Sequence, residues 1–213
     1  MAKVLNPYIL RIEEHSDIIW SDPEKHKNTC AEFISSNKNL IVDLGCGAGN
    51  FLRDYAKLKP DSNYIGFELR YKRLVTGAIK FNKHDITNIR LIRARAEDIA
   101  NWLPFKVADI IHVNFPDPWP KRKQQKNRLL NIVYLRRIFE LLKTDGCFVF
   151  KTDHSEYFKQ VKGLIESEKQ FKIQEFSDDL HNSPYQEDNI ETEFEQLFKN
   201  QKLPIYYLKT CQK

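Results

Sequence analysis

The sequence predicts an α/β fold, with a mostly parallel sheet of seven strands flanked by helices. Short apolar runs rich in β-branched residues alternate with amphipathic stretches from about residue 39 onward, which is the pattern of βαβ units. The first of these runs ends in a glycine-rich turn that leads into an amphipathic stretch. The 213 residues, of which 41% are hydrophobic, can bury one sizeable core. We therefore expect a single domain.

The elements follow from the periodicity of the apolar residues. Strands are expected at residues 39–44, 63–68, 89–94, 107–114, 146–152, 171–176 and 204–210. Helices are expected at residues 24–36, 48–59, 70–82, 126–143 and 154–167. Residues 24–213 would form the domain, and residues 1–23 would form an N-terminal arm that is mobile without a ligand.

The net charge of +5 is modest, but the charges are unevenly distributed. Basic residues crowd into residues 121–128 and acidic residues into residues 178–195, so one surface suits a polyanion. The short apolar stretches near the N-terminus are interrupted by charges, which fits neither a signal peptide nor a membrane span. We expect a cytoplasmic protein, either a monomer or a homodimer.

The four cysteines, Cys30, Cys46, Cys147 and Cys211, are far apart and form no CxxC pair or cluster with histidine. This spacing argues against a zinc site and against a disulfide scaffold. We expect ordinary reduced thiols and no metal.

A glycine loop follows the first predicted strand, with Gly45, Gly47 and Gly49 at alternate positions. The dinucleotide fingerprint G-x-G-x-x-G would need glycine at position 50, where this chain has Asn50. The spacing therefore favours a cofactor without a pyrophosphate over a nicotinamide cofactor. Asp43, just before the loop, would place a carboxylate near a positively charged group of that cofactor.

Two further segments follow strands, at the sheet edge where α/β proteins bind ligands. Glu68 ends the second strand and could accept hydrogen bonds from both ribose hydroxyls of a nucleoside. Ala96 and Glu97 follow the third strand and could hold an adenine amino group. Asp98 and the backbone remain alternatives to Glu97, and both acids could instead start a short helix.

The most unusual segment, residues 114–119, reads Asn-Phe-Pro-Asp-Pro-Trp. Its prolines, with Pro120, fix φ and remove backbone donors, so we expect a stiff loop that presents Asp117 and Trp119. An ionised Asp117 could accept hydrogen bonds from guanine N1–H and the exocyclic amine, and Trp119 offers a stacking face. The alternative for Trp119 is a packed side chain in a proline-rich turn.

A basic run comes directly after this loop. We expect its side chains to contact phosphates, or alternatively to form a solvated entry into the next helix. Its members are Lys121, Arg122, Lys123, Lys126 and Arg128.

With these motifs in hand, the chain resembles the bacterial tRNA (guanine-N7)-methyltransferases, the TrmB family, from about residue 15 to the end. The F-P-D-P-W block with its basic run is specific to that family, and residues 151–157 and 191–195 also match it. The resemblance implies a Rossmann-like class I methyltransferase fold, S-adenosylmethionine as cofactor and a variable-loop guanine of tRNA as substrate. The chain departs from the family at Arg95, where relatives often have an acid.

The resemblance also implies roles for individual residues. Asp117 would be catalytic, and Lys121, Asp153 and Thr192, Glu193, Phe194 and Glu195 would contact the guanine substrate. The cofactor would be bound by Asp43, Gly45, Gly47, Gly49, Glu68, Ala96, Glu97, Asn114 and Asp117.

Two rival functions remain open at this point. An N6-adenine or other amino-group methyltransferase would carry Asn-Pro-Pro-aromatic in place of the block at residues 114–117, and Asp117 spoils that match. A non-catalytic RNA-binding subunit would not need Asp43, Glu68 and Asp117 together.

Overall fold

The computed structural model describes residues 6–36 and 38–212, with no side-chain description for residue 212. Residues 1–5 of the predicted arm and residues 37 and 213 of the predicted domain lie outside the described residues. The chain divides into two compact units, Met1–Trp102 and Leu103–Lys213, which are described in turn.

The first unit contains four α-helices and four strands within its described residues. The helices are α1 (Tyr8–Glu13), α2 (Pro23–Ile34), α3 (Asn50–Leu58) and α4 (Tyr71–Lys83), and a 3₁₀ helix covers Ala96–Asn101. The strands are β1 (Ile19–Trp20), β2 (Asn39–Leu44), β3 (Ser62–Phe67) and β4 (Ile89–Ile92). They lie in the order β1-β4-β3-β2, and each neighbouring pair is parallel.

The arm contributes structure that the sequence analysis did not predict. β1 pairs with β4 through Ile19 and Trp20, which are 0% and 1% exposed. Asp22 then caps α2, because its side chain accepts hydrogen bonds from the backbone N–H groups of residues 24 and 25, and Pro23 occupies the first helical position. The burial of two large side chains therefore ties this part of the arm to the sheet.

The second unit has three α-helices and four strands in the part of it that the structure describes. The helices are α5 (Ile132–Leu141), α6 (Ser155–Glu166) and α7 (Glu193–Asn200), with 3₁₀ helices at Arg122–Asn127, Leu180–Asn182 and Pro184–Gln186. The strands are β5 (Ala108–Asn114), β6 (Leu142–Thr152), β7 (Phe171–Ser177) and β8 (Tyr206–Gln212), in the order β5-β6-β8-β7. β5 and β6 are parallel, whereas β8 runs antiparallel to both of its neighbours.

Two helices of this unit differ from the prediction. The helix expected at residues 126–143 is α5, which begins only at Ile132, because Asn131 caps it by accepting a hydrogen bond from the backbone N–H of Tyr134. α7 was not predicted. It begins with a capping box in which Thr192 and Glu195 each accept a hydrogen bond from the other's backbone N–H.

The α/β fold class with a mostly parallel arrangement of strands is confirmed, but the number of strands was wrong. The described residues contain eight strands instead of seven, and the additional one is β1. It was missed because a two-residue strand leaves no alternation of apolar and polar residues to detect.

The expectation of four reduced thiols is also wrong. Cys147 and Cys211 are directly opposed on the antiparallel strands β6 and β8, with 4.4 Å between their Cα atoms, and they form a disulfide. Residues 64 positions apart can pair in this way only through the register of the sheet, which their spacing in the sequence does not reveal. In the described part of the chain, Cys30 and Cys46 are buried free thiols.

Among the described residues, no helix combines the length and the hydrophobicity that a membrane span requires.

Candidate active site

The glycine loop lies between β2 and α3 in the first unit and makes a tight turn. Gly45 and Gly49 have φ values of +87° and +68°, which only glycine adopts without strain. A Cβ at Gly49 would lie 2.5 Å from the ring of Phe81, so that glycine is required by packing as well. A Cβ at Gly45 would meet no atom within 4 Å. The loop backbone at Gly45 is therefore open to a ligand.

Two of the predicted cofactor carboxylates lie at this end of β2 and β3. Asp43 is 2% exposed, and Glu68 follows the last residue of β3. Burial raises the pKa of the Cys46 thiol well above its usual value, and the negative charges of Asp43 and Glu68 raise it further. The positive charge of Arg73 acts in the opposite direction, and its Nη1 would lie 2.8 Å from a Cβ at Gly47, so two carboxylates and one guanidinium surround the loop.

Glu68, Ala96 and Glu97 are more exposed than Asp43. Glu68 Oε1 accepts a hydrogen bond from the backbone N–H of Arg70 at 2.8 Å, which orients the carboxylate at the start of α4. Ala96 is half-buried and Glu97 is exposed, in the first turn of the 3₁₀ helix. Asp98 is exposed in the same turn, so the choice between these acids stays a prediction.

In the second unit, the loop after β5 has an uncommon backbone conformation, and its predicted stiffness stays a prediction. Phe115 and Trp119 have positive φ values of 50° and 42°, a conformation that is rare for non-glycine residues. Asp117 is exposed between them, and Trp119 is half-buried. We call Phe115–Trp119 the substrate loop. Its geometry presents the Asp117 carboxylate to solvent from a strained backbone, which is typical of functional sites.

The substrate loop contacts two elements that are distant in sequence. The Phe115 N–H donates to the carbonyl oxygen of Lys151 in β6 at 2.8 Å. The Phe115 ring lies 6.2 Å from the ring of Phe194 and 5.6 Å from that of Phe198, both in α7. The structure thus brings together the F-P-D-P-W block and the segment 192–195 through the rings of Phe115 and Phe194.

The basic run divides into exposed and buried residues. Its exposed members begin at the N-cap of the 3₁₀ helix and continue along it. They are Lys121, Arg122, Lys123 and Lys126. These four side chains are placed on the surface, where a phosphate contact is sterically possible.

Arg128 requires a correction, because it is only 3% exposed. Its Nε donates to the carbonyl oxygen of Pro118 at 2.7 Å, its Nη1 donates to Gln160, and its guanidinium lies 4.8 Å above the ring of Tyr157. The predicted phosphate contact of Arg128 is therefore wrong. The side chain holds the substrate loop from inside the protein.

The segment predicted to contact the guanine is likewise divided. Glu193 and Phe194 are exposed. Thr192 is 7% exposed and Glu195 is 0% exposed. The Thr192 hydroxyl is engaged by the backbone N–H of Glu195 at 3.1 Å. A direct contact between the Glu195 carboxylate and a substrate conflicts with this burial, so that assignment is corrected to a role inside the protein.

Asp153 lies at the carboxyl end of β6, directly after Thr152, and is half-buried. β5 and β6 are parallel neighbours in which Asn114 pairs with Lys151. Asp153 and Asp117 therefore follow the carboxyl ends of adjacent parallel strands, which is the edge where α/β sheets bind ligands. Asn114 is half-buried at the same edge.

Lys151, for which the sequence predicted no role, is only 2% exposed. Its Nζ lies 2.8 Å from Glu195 Oε2, and both side chains are almost fully buried. Burial and, to a smaller extent, the Lys151 charge lower the pKa of the neighbouring His112 from 6.5 to about 3. The sequence did contain a signal for this pair, because a lysine within an apolar strand is expected to be buried and to need a buried partner.

Within the described ranges, no group of three or more His, Cys, Asp or Glu side chains is arranged to hold a metal ion.

Comparison with known proteins identifies the family. The model of a family described as putative methyltransferase matches residues 37–208. A tRNA (guanine-N(7)-)-methyltransferase from Bacillus cytotoxicus is 35% identical over 202 residues, which are 94% of this chain and 92% of that protein.

Two further matches complete the comparison. A bifunctional glycosyltransferase/methyltransferase from Fusobacterium nucleatum subsp. nucleatum is 35% identical over 196 residues; they make up 91% of this chain, which spans only 30% of that longer protein. A solved antibiotic-related methyltransferase has a TM-score of 0.64 at 19% identity, covering 88% of this chain and 94% of that one, and it supports the fold alone. The chain belongs to the family of the bacterial tRNA (guanine-N7)-methyltransferases.

Proposed function

We propose that the protein transfers a methyl group from S-adenosylmethionine to N7 of a guanine in tRNA, and that this guanine lies in the variable loop. The observation that carries the proposal is the exposed Asp117 in the proline-containing loop after β5, in a chain 35% identical to a relative named for this reaction. We place the reaction in the cytoplasm.

The residues of the first unit fit the cofactor. The glycine loop leaves open space at Gly45, and Asp43 and Glu68 place two carboxylates near it, beside the guanidinium of Arg73. Asp43 is 2% exposed, so it would attract the ammonium of the methionine moiety by its charge or through a water molecule. Glu68 would accept hydrogen bonds from the ribose hydroxyls, and Ala96 and Glu97 would contact the adenine. When bound, S-adenosylmethionine supplies a methyl group that is already activated on a sulfonium.

The residues of the second unit fit the guanine. A carboxylate at Asp117 would accept hydrogen bonds from N1–H and the exocyclic amine. N7 has a lone pair and no proton, so the reaction needs no general base. The purine becomes cationic during the transfer, and the Asp117 carboxylate would stabilise the developing positive charge. The main task of the protein is to align N7 with the methyl carbon.

The remaining predicted contacts orient the RNA. Lys121 and Asp153, together with Thr192, Glu193 and Phe194 at the start of α7, would contact the guanine nucleotide. Arg122, Lys123 and Lys126 are exposed on the 3₁₀ helix after the substrate loop and would contact phosphates. Asn114, at the end of β5, would contact the cofactor.

The test is methyl transfer from labelled S-adenosylmethionine to unmodified total tRNA, followed by nucleoside analysis. Asp117→Ala serves as the matched inactive control. We expect label in 7-methylguanosine. Label in methylated adenosine would instead identify an amino-group methyltransferase, and cofactor binding without transfer would identify a non-catalytic RNA-binding subunit.

A further inference from the structure

Lys151 is a lysine inside a buried strand whose ammonium is completely engaged by protein groups. Its Nζ donates to Glu195 Oε2 at 2.8 Å, to Asn189 Oδ1 at 2.7 Å and to the carbonyl oxygen of Ile190 at 2.9 Å. An ammonium has three donors, so all of them are used. Each of the three acceptors belongs to the segment that leads into or starts α7.

Glu195 is held from several sides as well. Its Oε1 accepts from Asn189 Nδ2 at 2.5 Å and lies 3.3 Å from His181 Nε2. Its Oε2 accepts from the backbone N–H of Thr192 at 3.3 Å, in addition to Lys151. Because Glu195 lies in the first turn of α7, the Lys151–Glu195 pair fixes the start of that helix to β6.

The same lysine also contacts the substrate loop. The carbonyl oxygen of Lys151 accepts a hydrogen bond from the N–H of Phe115, and the Phe115 ring packs against Phe194 and Phe198 of α7. Lys151 therefore touches the loop that carries Asp117 through its main chain and the start of α7 through its side chain. The two predicted substrate segments meet at one residue.

A buried ion pair is a poor way to gain stability alone, because apolar residues of similar volume stabilise a core as well or better. A fully hydrogen-bonded pair instead specifies a single geometry, because each donor and acceptor is satisfied in only one arrangement of the surrounding groups. We propose that Lys151 is a positioning residue of the methyl transfer, which holds the start of α7 and the substrate loop in their productive arrangement through Glu195. This inference rests on the proposed function.

The test compares Lys151→Met with Lys143→Met. Lys143 is on the same strand and also forms a 2.8 Å ion pair, with Asp109, but this pair is partly exposed. At a temperature where every variant is folded, we expect Lys151→Met to lower kcat on saturating tRNA by about tenfold or more, the size of effect that a small misplacement causes. The Kd for S-adenosylmethionine should stay within about twofold, and Lys143→Met should resemble the wild type.

Two more variants separate positioning from stability. If the pair acts as a unit, Lys151→Met in a Glu195→Gln background should cost little beyond the larger single effect. Lys151→Arg, which keeps the charge and the donors, should recover part of kcat. A folded Lys151→Met protein with kcat within about twofold of the wild type would overturn the proposal.

If Lys151→Met does not fold, Asn189→Ala takes its place. Asn189 is only half-buried, and the change removes one hydrogen bond from each member of the pair. We expect kcat to fall several-fold with the Kd for S-adenosylmethionine unchanged, and an unaltered kcat would contradict the proposal.

Amide hydrogen exchange provides a readout that does not depend on activity. In Lys151→Met, or in Asn189→Ala, exchange should accelerate in residues 189–200 and 113–121, whereas Lys143→Met should leave both segments unchanged. Unchanged exchange in both segments would refute the positioning role. If the wild-type protein methylates no tRNA, the proposed function fails, and the exchange rates still decide whether Lys151 holds these segments.

Discussion

Arg128 Nε donates a hydrogen bond to the carbonyl oxygen of Pro118 at 2.7 Å, across ten positions of sequence. The guanidinium is almost completely buried and stacks over Tyr157 at 4.8 Å. A residue of the basic run therefore stabilises the backbone next to Asp117 and is not presented to RNA.

Arg128→Met should consequently act on catalysis and stability. Loss of a charged hydrogen bond at a buried site should lower the free energy of unfolding by about 2 kcal/mol, and kcat should fall because Asp117 is no longer held. The salt dependence of tRNA binding should not change. Arg137→Met, at an exposed position of α5, is the control. A smaller salt dependence of tRNA binding in Arg128→Met would instead support the original prediction that Arg128 contacts a phosphate.

Lys123 and Lys126 are exposed and should show the opposite behaviour. Each phosphate contact contributes roughly 0.7 to 0.9 to the slope of log Kd against log salt. Changing both lysines to alanine should therefore reduce that slope by about 1.5, as measured by tRNA binding at several salt concentrations. The control is Lys57→Ala in α3. Equal slopes in the double variant and the wild type would favour a solvated surface without a role in binding.

Asp117 should matter for turnover and not for cofactor affinity. Removal of a group that orients the guanine and stabilises positive charge should lower kcat by about 100-fold or more in Asp117→Ala, with the Kd for S-adenosylmethionine nearly unchanged. Steady-state kinetics and calorimetry measure the two quantities. Asp178→Ala, at another exposed aspartate, provides the comparison. Normal turnover in Asp117→Ala would remove this residue from the mechanism.

His112 should make the protein sensitive to acid. Its pKa is lowered from 6.5 to about 3 in the folded state by burial and by the Lys151 charge. Below pH 6.5 the unfolded state binds a proton at His112 that the folded state does not bind until about pH 3, so the free energy of unfolding falls as the pH is lowered. The loss at pH 5 is about 2 kcal/mol. In urea unfolding, the free energy of unfolding of His112→Asn should therefore fall less between pH 7 and pH 5 than that of the wild type, by about this amount. An equal loss in both proteins would mean that His112 is not responsible.

Local sequence signals predicted the parts of the fold that depend on neighbouring residues. β2 was predicted at its observed bounds, because the apolar residues of positions 40–42 and 44 lead directly into the glycine loop. The prolines indicated that the chain leaves the strand at the substrate loop, and β5 indeed ends at Asn114, but the positive φ values of Phe115 and Trp119 were not predicted. β1 and α7 are short, and short elements depend on tertiary partners more than on periodicity.

The parts of the site that were missed depend on contacts between distant residues. Sequence alone placed Arg128 with the exposed lysines, because a basic run does not reveal which side chain turns inward. Glu195 matched a substrate motif, but its burial against Lys151 follows from the packing of α7 on β6. The disulfide between Cys147 and Cys211 likewise follows from the register of β8 on β6.

N7 of a guanine is the atom that receives the methyl group in the proposed reaction. The most direct measurement compares a tRNA transcript with one made from 7-deazaguanosine, in which a C–H group replaces N7 and the remaining base edges are unchanged. We predict stoichiometric labelling of the ordinary transcript and none of the 7-deaza transcript, which should still bind and compete. Equal labelling of both transcripts would contradict methylation at N7.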